Sequence, residues 1–303
     1  MREIIVGDIH GMLPELRALL DAVVLTQADH LVLVGDLLDK GPDSPGVVAH
    51  LRYMRANGHN ITLLVGNHEE RHARYRKARA ACPPGTVPKM KGVDELRTIT
   101  EALTLKDIEF LDSAVPFLAL PEHKSLVVHA GILPDMATFP TPEDFAAMSK
   151  GQQEKFLRIL RVRHVRGHAE TRVSIDITLP ADDRQFEALL AQGMDAVLLA
   201  SVQREITSRT VRPKGEFIGL GQETPDDPFW AQDYDGRFGH VYFGHNPYPK
   251  ASEPVQFSHA TALDLGCVFG GRLAAAILEP GQAPRFITVP SRGSYATALW
   301  DES

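Results

Sequence analysis

Five short apolar runs in this chain each end on residues able to bind a metal, and that repetition constrains the fold more than any other feature. Ile4-Ile5-Val6 leads into Gly7-Asp8-Ile9-His10-Gly11, and Leu31 to Val34 into Gly35-Asp36-Leu37-Leu38-Asp39. Ile61 to Val65 leads into Gly66-Asn67-His68-Glu69, Leu126-Val127-Val128 into His129-Ala130-Gly131, and Val241-Tyr242-Phe243 into Gly244-His245. Strands buried on both faces read as unbroken Val/Ile/Leu runs, and α/β sheets bind ligands beyond the carboxyl ends of their strands. The pattern therefore predicts two Asp, one Asn and several His gathered along one sheet edge.

The segments between the runs supply crossovers. Pro14 suits a first helical turn, and Leu13, Leu16, Leu20 and Val23 or Val24 recur at helical spacing. Ser44 is the expected cap of a second helix, with Pro45 at its first position and Asn57-Gly58 at its end. The first 70 residues thus read as a βαβαβ unit with right-handed crossovers. Cys82 to Lys91 reads as a Pro/Gly-rich loop, and Val93 to Ser113 as one helical stretch. Thr141 to Asp144 resembles a capping box, and Asp182 to Glu205 reads as mostly helical. The expected fold class is α/β, a sandwich of mixed β-sheets flanked by helices. Residues 1–303 are expected to form one domain, with a partly helical cap or insertion at about 133–238.

Composition bounds the setting. No apolar run approaches a membrane span, and Cys82 and Cys267 are too few for a disulfide framework. With the first strand beginning near Glu3, no signal peptide is expected, and a cytoplasmic location is the simplest reading. A net charge of −7 argues against general nucleic-acid or membrane binding. It does not exclude an anionic substrate, because bound metals can dominate local charge.

Each motif alone has a bland reading. Asp8 could simply cap the following helix, as Asp36 or Asp39 could cap another. The conjunction is different, because chance capping would not select His and Asn with this regularity after successive strands. Together Gly7-Asp8-Ile9-His10-Gly11, Gly35-Asp36-Leu37-Leu38-Asp39-Lys40-Gly41, Gly66-Asn67-His68-Glu69, His129-Ala130-Gly131 and Gly244-His245 resemble the phosphoprotein-phosphatase (calcineurin-like) type of metallophosphoesterase.

That resemblance implies two divalent ions, with Mn²⁺ leading and Fe, Zn or Co as alternatives. Asp8 and His10 would hold the first ion, Asp36 would bridge to the second, and Asn67, His129 and His245 would complete the ligands of that second ion. Ions about 3.5–4 Å apart clamp phosphate oxygens and lower the pKa of a bridging water, whose hydroxide attacks phosphorus. His68 would donate a proton to the leaving oxygen, with Asp39 orienting it. Lys40 stands where many such protein phosphatases carry Arg, and Pro247 where other metallophosphoesterases carry a further His.

The lysine-containing second motif, Trp230-Ala231 with Tyr234-Asp235-Gly236, and Leu263 to Gly271 resemble the ApaH-like phosphatases, relatives of bis(5'-nucleosyl)-tetraphosphatases. The implied substrate is a dinucleoside polyphosphate, nucleotide or polyphosphate. A Ser/Thr or Tyr protein phosphatase acting on a phosphoprotein is the alternative, followed by an inactive binding scaffold. Lys40, Asn67, Arg71 and Arg161 are the expected phosphate contacts. Arg163 and Arg166 read as a solvated face, Asp264 as a turn acid, and His72 as an ordinary hydrogen-bonded histidine. His168 is the weaker rival of His245 as a Gly-His ligand.

Overall fold

A computed structural model describes residues 1–83, 85–166, 216–218, 222–224 and 226–297. The chain divides into two compact units, Met1–Val165 with Phe217–Ser303, and Arg166–Glu216. The second unit lies almost wholly outside the described residues, as do His168 and the stretch read as helical from Asp182 to Glu205.

The first sheet gathers β1 (Glu3–Val6), β2 (His30–Leu33) and β3 (Asn60–Leu63) in parallel. Helices α1 (Leu13–Ala22) and α2 (Ser44–Ala56) make the crossovers. Beyond β3 come α3 (Asn67–Ala81), α4 (Val93–Ala102) and α5 (Leu105–Asp112). The second sheet begins with β4 (Phe117–Leu120) and β5 (Ser125–Val128), followed by short helices α6 (Pro142–Ala147) and α7 (Lys150–Phe156). Two-residue strands β6 (Val165–Arg166) and β7 (Glu216–Phe217) pair with each other. The remaining strands are β8 (His240–Phe243), β9 (Val255–Gln256), β10 (Ala260–Ala262), β11 (Asp264–Leu265), β12 (Arg272–Leu278) and β13 (Arg285–Pro290).

The first sheet runs β11-β12-β1-β2-β3, with β13 also paired to β12, and the second runs β4-β5-β8-β10-β9. β12 is antiparallel to β1 in the first sheet, and β4 and β9 are antiparallel to β5 and β10 in the second, where β5, β8 and β10 are mutually parallel, so both sheets are mixed.

Alternation along each strand explains the layering. In β1, Ile4 and Val6 face a core built with Leu16, Leu19, Val47 and Leu51 of the helices. Ile5 faces the other way and packs with Val32, Val127 and Tyr242, between the two sheets. In β8, Val241 and Phe243 turn outward to Phe156, Ile159 and Trp230. Strands covered on both faces have no polar side to show, so they read as continuous apolar runs. Within the expected cap, the described segments 133–166 and 226–238 contribute Leu133, Phe156 and Trp230 to that outer core. Among the described residues, no helix is long and apolar enough to cross a membrane.

Two local expectations need correction. The stretch from Val93 to Ser113 is two helices, because Thr104 starts a new capping box with Asp107. Thr104 N–H donates to Asp107 Oδ2 at 2.9 Å, and this local pairing outcompetes a continued helix. Asp43, not Ser44, caps α2: its Oδ1 accepts from Gly46 N–H at 2.8 Å. A carboxylate suits the positive end of a helix better than a hydroxyl does.

Candidate metal centre

The carboxyl ends of β1, β2 and β3 carry Asp8 and His10, Asp36 to Lys40, and Asn67 and His68. Those of β5 and β8 carry His129 and His245. Hydrogen bonds tie these two rows together: Asp8 Oδ2 accepts from His245 N–H at 2.9 Å, and His129 Nδ1 meets Val34 O at 2.9 Å. The turns are tight. His10, Asp36, Asp39, Lys40 and His245 take φ values between 45° and 68°, in the left-handed region that non-glycine residues seldom occupy. Such backbone clusters where side chains must be aimed. At Gly244, any Cβ would lie 1.9 Å from Asp8 Oδ1, so only glycine leaves room for that carboxylate.

Asp36 is the shared member of two groups whose ligand atoms lie within 4.8 Å of one another: His10, Asp36 and His68, and Asp36, His129 and His245. Its Oδ2 is 3.6 Å from His10 Nε2, and its Oδ1 is 3.4 Å from His129 Nε2. One carboxylate between two imidazoles is what a bridge between two ions requires.

Hydrogen bonding fixes how the imidazoles point. His129 Nδ1 donates to a carbonyl, so a neutral ring turns the bare lone pair of Nε2 inward. There it faces Asn67 Oδ1 at 3.0 Å and Asp36 Oδ1 at 3.4 Å. Three acceptors converging without a proton between them call for a cation. His10 repeats the arrangement: Nδ1 donates to Leu38 O at 2.8 Å, leaving Nε2 toward Asp36 and toward Lys40 Nζ, 2.9 Å away. Asp8 Oδ1 is buried and finds no hydrogen-bond partner among the described residues. An orphaned buried carboxylate oxygen is costly unless a cation meets it. The donor set fits divalent metal.

Electrostatics agree with that fit. Burial holds His10, His129 and His245 below the ordinary imidazole range, helped at His10 by Lys40 and at His245 by His129 and Arg163. Neutral imidazoles are the ligand form. Burial, with Asp264 and Asp36 nearby, pushes Asp8 well up, so this pocket has negative charge to neutralise. Burial would also raise Asp36, yet His129, His68, His10 and Lys40 hold it below the carboxylate range.

His68 has a different environment. Its Nδ1 donates to Asp39 Oδ2 at 2.6 Å, while its Nε2 points inward, 3.9 Å from Asp36 Oδ2. Burial would lower its pKa, but Asp36 and Asp39 together raise it. A raised pKa keeps the proton that an acid must deliver.

The expected phosphate contacts divide. Lys40 reaches the centre and lies 5.3 Å above the Phe269 ring. Arg71 is held at the rim by Lys91 O (2.7 Å) and Asp39 Oδ2 (3.4 Å). Arg161 is largely exposed and pairs with Glu70 at 2.7 Å. Arg163, read as a solvated face, is instead mostly buried beside the Gly-His loop, donating to Asn246 Oδ1 at 2.9 Å. Its partners come from segments 83 residues apart, which no local pattern reveals. Asp264 stays within its own turn, accepting from Gly266 N–H at 2.9 Å. Burial pushes its pKa up to about 6.

Two further groups lie at the site: Glu69, given no role by its motif, and His72, read as an ordinary hydrogen-bonded histidine. Glu69 accepts from the backbone N–H of Asp36 (2.7 Å), Leu37 (2.8 Å) and Gly66 (3.0 Å), bracing the β2 and β3 turns together. His72 reaches Asp39 from one helical turn beyond His68.

The fold and this convergence define a metallophosphoesterase class of site, and comparison with known proteins agrees. A family model described as calcineurin-like phosphoesterase matches residues 1–245, and the chain belongs to that family. It is similar to the symmetrical bis(5'-nucleosyl)-tetraphosphatase of Erwinia tasmaniensis, 35% identical over 142 residues, covering 46% of this chain and 48% of the relative. The enzyme of the same name from Shewanella baltica is 31% identical over 163 residues, covering 53% and 56%. The chain thus spans about half the length of the curated relatives it matches. A solved structure described as a candidate diadenosine tetraphosphatase superposes with a TM-score of 0.60 at 25% identity, covering 96% of this chain and 95% of its own.

Proposed function

We propose that this chain is a metal-dependent phosphohydrolase of the ApaH type, acting on phosphoric anhydrides, with dinucleoside polyphosphates as the leading substrate class. The carrying observation is the Asp36 carboxylate shared between two donor groups, next to an inward-facing imidazole backed by Asp39. The names of the similar tetraphosphatases favour an anhydride over a phosphoprotein substrate.

In this reading Asp8, His10 and Asp36 would hold one divalent ion, and Asp36, Asn67, His129 and His245 a second. When bound, the ions supply Lewis acidity toward phosphate oxygens and a water acidic enough to attack phosphorus at neutral pH. The protein's own groups do the rest. Lys40 Nζ leaves His10 Nε2 to metal and bears on a phosphate oxygen as a mobile point charge. Arg163, fixed by Asn246, adds positive potential on the Gly-His side. His68 delivers a proton through Nε2 to the leaving oxygen, while Asp39 stabilises the cationic imidazole.

A side-by-side assay with Mn²⁺ on diadenosine tetraphosphate, inorganic polyphosphate, nucleoside triphosphate and a phosphopeptide tests this. The expected order of kcat/KM puts the anhydrides ahead of the phosphopeptide. The reverse order would transfer the assignment to a protein phosphatase, and no Mn²⁺-dependent turnover would end the enzyme reading.

A further inference from the structure

Asp39 lies at the centre of a second constellation behind the metal centre. It is 1% exposed, and each carboxylate oxygen meets a different imidazole. Oδ2 takes His68 Nδ1 at 2.6 Å, and Oδ1 takes His72 Nε2 at 2.7 Å. His68 and His72 stand four residues apart on α3, so both rings leave the same helix face and grip the carboxylate between them. Beyond the second ring, His72 Nδ1 lies 3.1 Å from Thr100 Oγ1 of α4. His72 is fully buried, and a fully buried imidazole is uncommon without a polar partner on each nitrogen.

The protonation pattern follows from donors and acceptors. An ionised carboxylate only accepts, so His72 must carry a proton on Nε2 and His68 one on Nδ1. Asp39 sits at φ 68° and Lys40 at φ 67°, a pair of left-handed residues whose conformation needs outside contacts to persist. A carboxylate held at one oxygen can rotate about its Cβ–Cγ bond, whereas contacts at both oxygens fix its plane. Arg71 Nη1, at 3.4 Å, touches the same oxygen as His68 and so cannot stop that rotation.

We propose that His72 is a positioning residue: by occupying Asp39 Oδ1 it sets the carboxylate plane that fixes the His68 proton on Nδ1 and aims His68 Nε2 at the leaving oxygen. The catalytic part of this inference rests on the phosphohydrolase reading above, but the proton placement does not. His72 then belongs to a Thr100–His72–Asp39–His68 chain that runs from α4 to the reacting atoms. Changing an outer partner of this kind typically costs about 10–100-fold in activity.

The test compares His72→Leu, which keeps bulk and removes the donor, with His72→Gln, whose side-chain amide can donate from near the Nε2 position. For the Mn²⁺-loaded protein, H72L should lower kcat about 10–100-fold on an alkyl phosphate or diadenosine tetraphosphate, with KM changed less than about twofold. On a nitrophenyl phosphate, whose leaving group needs no proton, the loss should be under about threefold. H72Q should recover most of the lost kcat. Equal losses on both substrates, or no recovery in H72Q with its metal content intact, would overturn the proposal. The second arm uses ¹⁵N-labelled metal-free protein at a pH above the raised His68 pKa, where the ring is neutral and its signals report which nitrogen keeps the proton. Wild type and H72Q should show one Nδ1–H tautomer, and H72L a mixture. An unchanged His68 tautomer in H72L overturns the proposal whatever the activities. A wild type inactive on every phosphate ester and anhydride, yet showing the tautomer shift in H72L, would remove the phosphohydrolase reading and leave the proton placement standing.

Discussion

Gly244→Ala isolates the claim that Asp8 is aimed into a space kept open by the Gly-His turn. The added Cβ would meet Asp8 Oδ1 at 1.9 Å and Val34 Cγ2 at 2.8 Å. Restoring ordinary contact near 3.4 Å moves the carboxylate by about 1.5 Å. The His245 N–H···Oδ2 bond, now 2.9 Å, does not survive that shift. Overpacking of this kind costs about 1–3 kcal/mol and the lost hydrogen bond about 0.5–1.5 kcal/mol, together about 2–4 kcal/mol. At roughly 2 °C per kcal/mol for a chain this long, the chelated variant should melt about 4–8 °C lower. Displacing Asp8 from the ligand position should also weaken one class of Mn²⁺ site by about 10–100-fold in calorimetric titration. Gly151→Ala is the control, because a Cβ there meets nothing within 4 Å and α7 gains a better helix former. A G244A protein that melts within about 1 °C of wild type and binds two Mn²⁺ with unchanged affinity would refute the placement of Asp8 as a ligand.

Other perturbations follow from the same geometry. Glu69→Gln leaves one of three backbone donors without its acceptor, a loss of about 1–3 kcal/mol; an unchanged urea midpoint would contradict the bracing role. His68→Asn should retain both metals by elemental analysis while losing activity chiefly on poor leaving groups, and metal loss would make His68 a ligand instead. Arg2 donates to Asp29 and holds its pKa down at about 2, so the pair's stabilisation is present above the unfolded value of 3.8 and is lost as pH falls from there toward 2. Asp29→Asn should therefore lower the denaturation midpoint at about pH 6, with the gap narrowing from pH 3.8 downward and closing only as pH falls through about 2, and a gap that does not narrow would refute the linkage.

Much of this fold is legible in the sequence because its strands are covered on both faces. Ile4-Ile5-Val6 and Val241-Tyr242-Phe243 must be apolar throughout, whichever way each side chain points. The candidate ligands are legible for a related reason: each follows its strand by a few residues, so proximity in sequence becomes proximity at a sheet edge. What escapes is set by partners distant in sequence or by competition between local options. The break at Thr104 is a capping box inside a stretch whose apolar spacing alone continues the helix. Asp43 and Ser44 both offer a cap, and only the backbone geometry selects between them. Arg163 resembles Arg161 in every local respect, yet one sits beside Asn246 and the other on the surface with Glu70.

Glu69 and His72 escape for a more general reason. A motif displays residue types but not contacts: Glu69 stands inside the third motif, yet nothing there shows that it reaches back to the β2 turn, and His72 lies outside the motifs. His10, Asp36, Asp39, Lys40 and His245 all occupy left-handed backbone, at about 1–3 kcal/mol each. A turn of glycines would avoid that strain, but glycine has no side chain to aim. The chain must therefore carry strain at the residues that do the chemistry and offset it with contacts elsewhere. Glu69 spans the β2 and β3 turns with three hydrogen bonds, His72 fills the free oxygen of Asp39, and Asp8 closes on His245 N–H. These links join positions 33, 33 and 237 residues apart for the Glu69–Asp36, His72–Asp39 and Asp8–His245 contacts. A ligand motif can be read from one strand end, whereas the brace that keeps its backbone strained exists only once two strand ends have met.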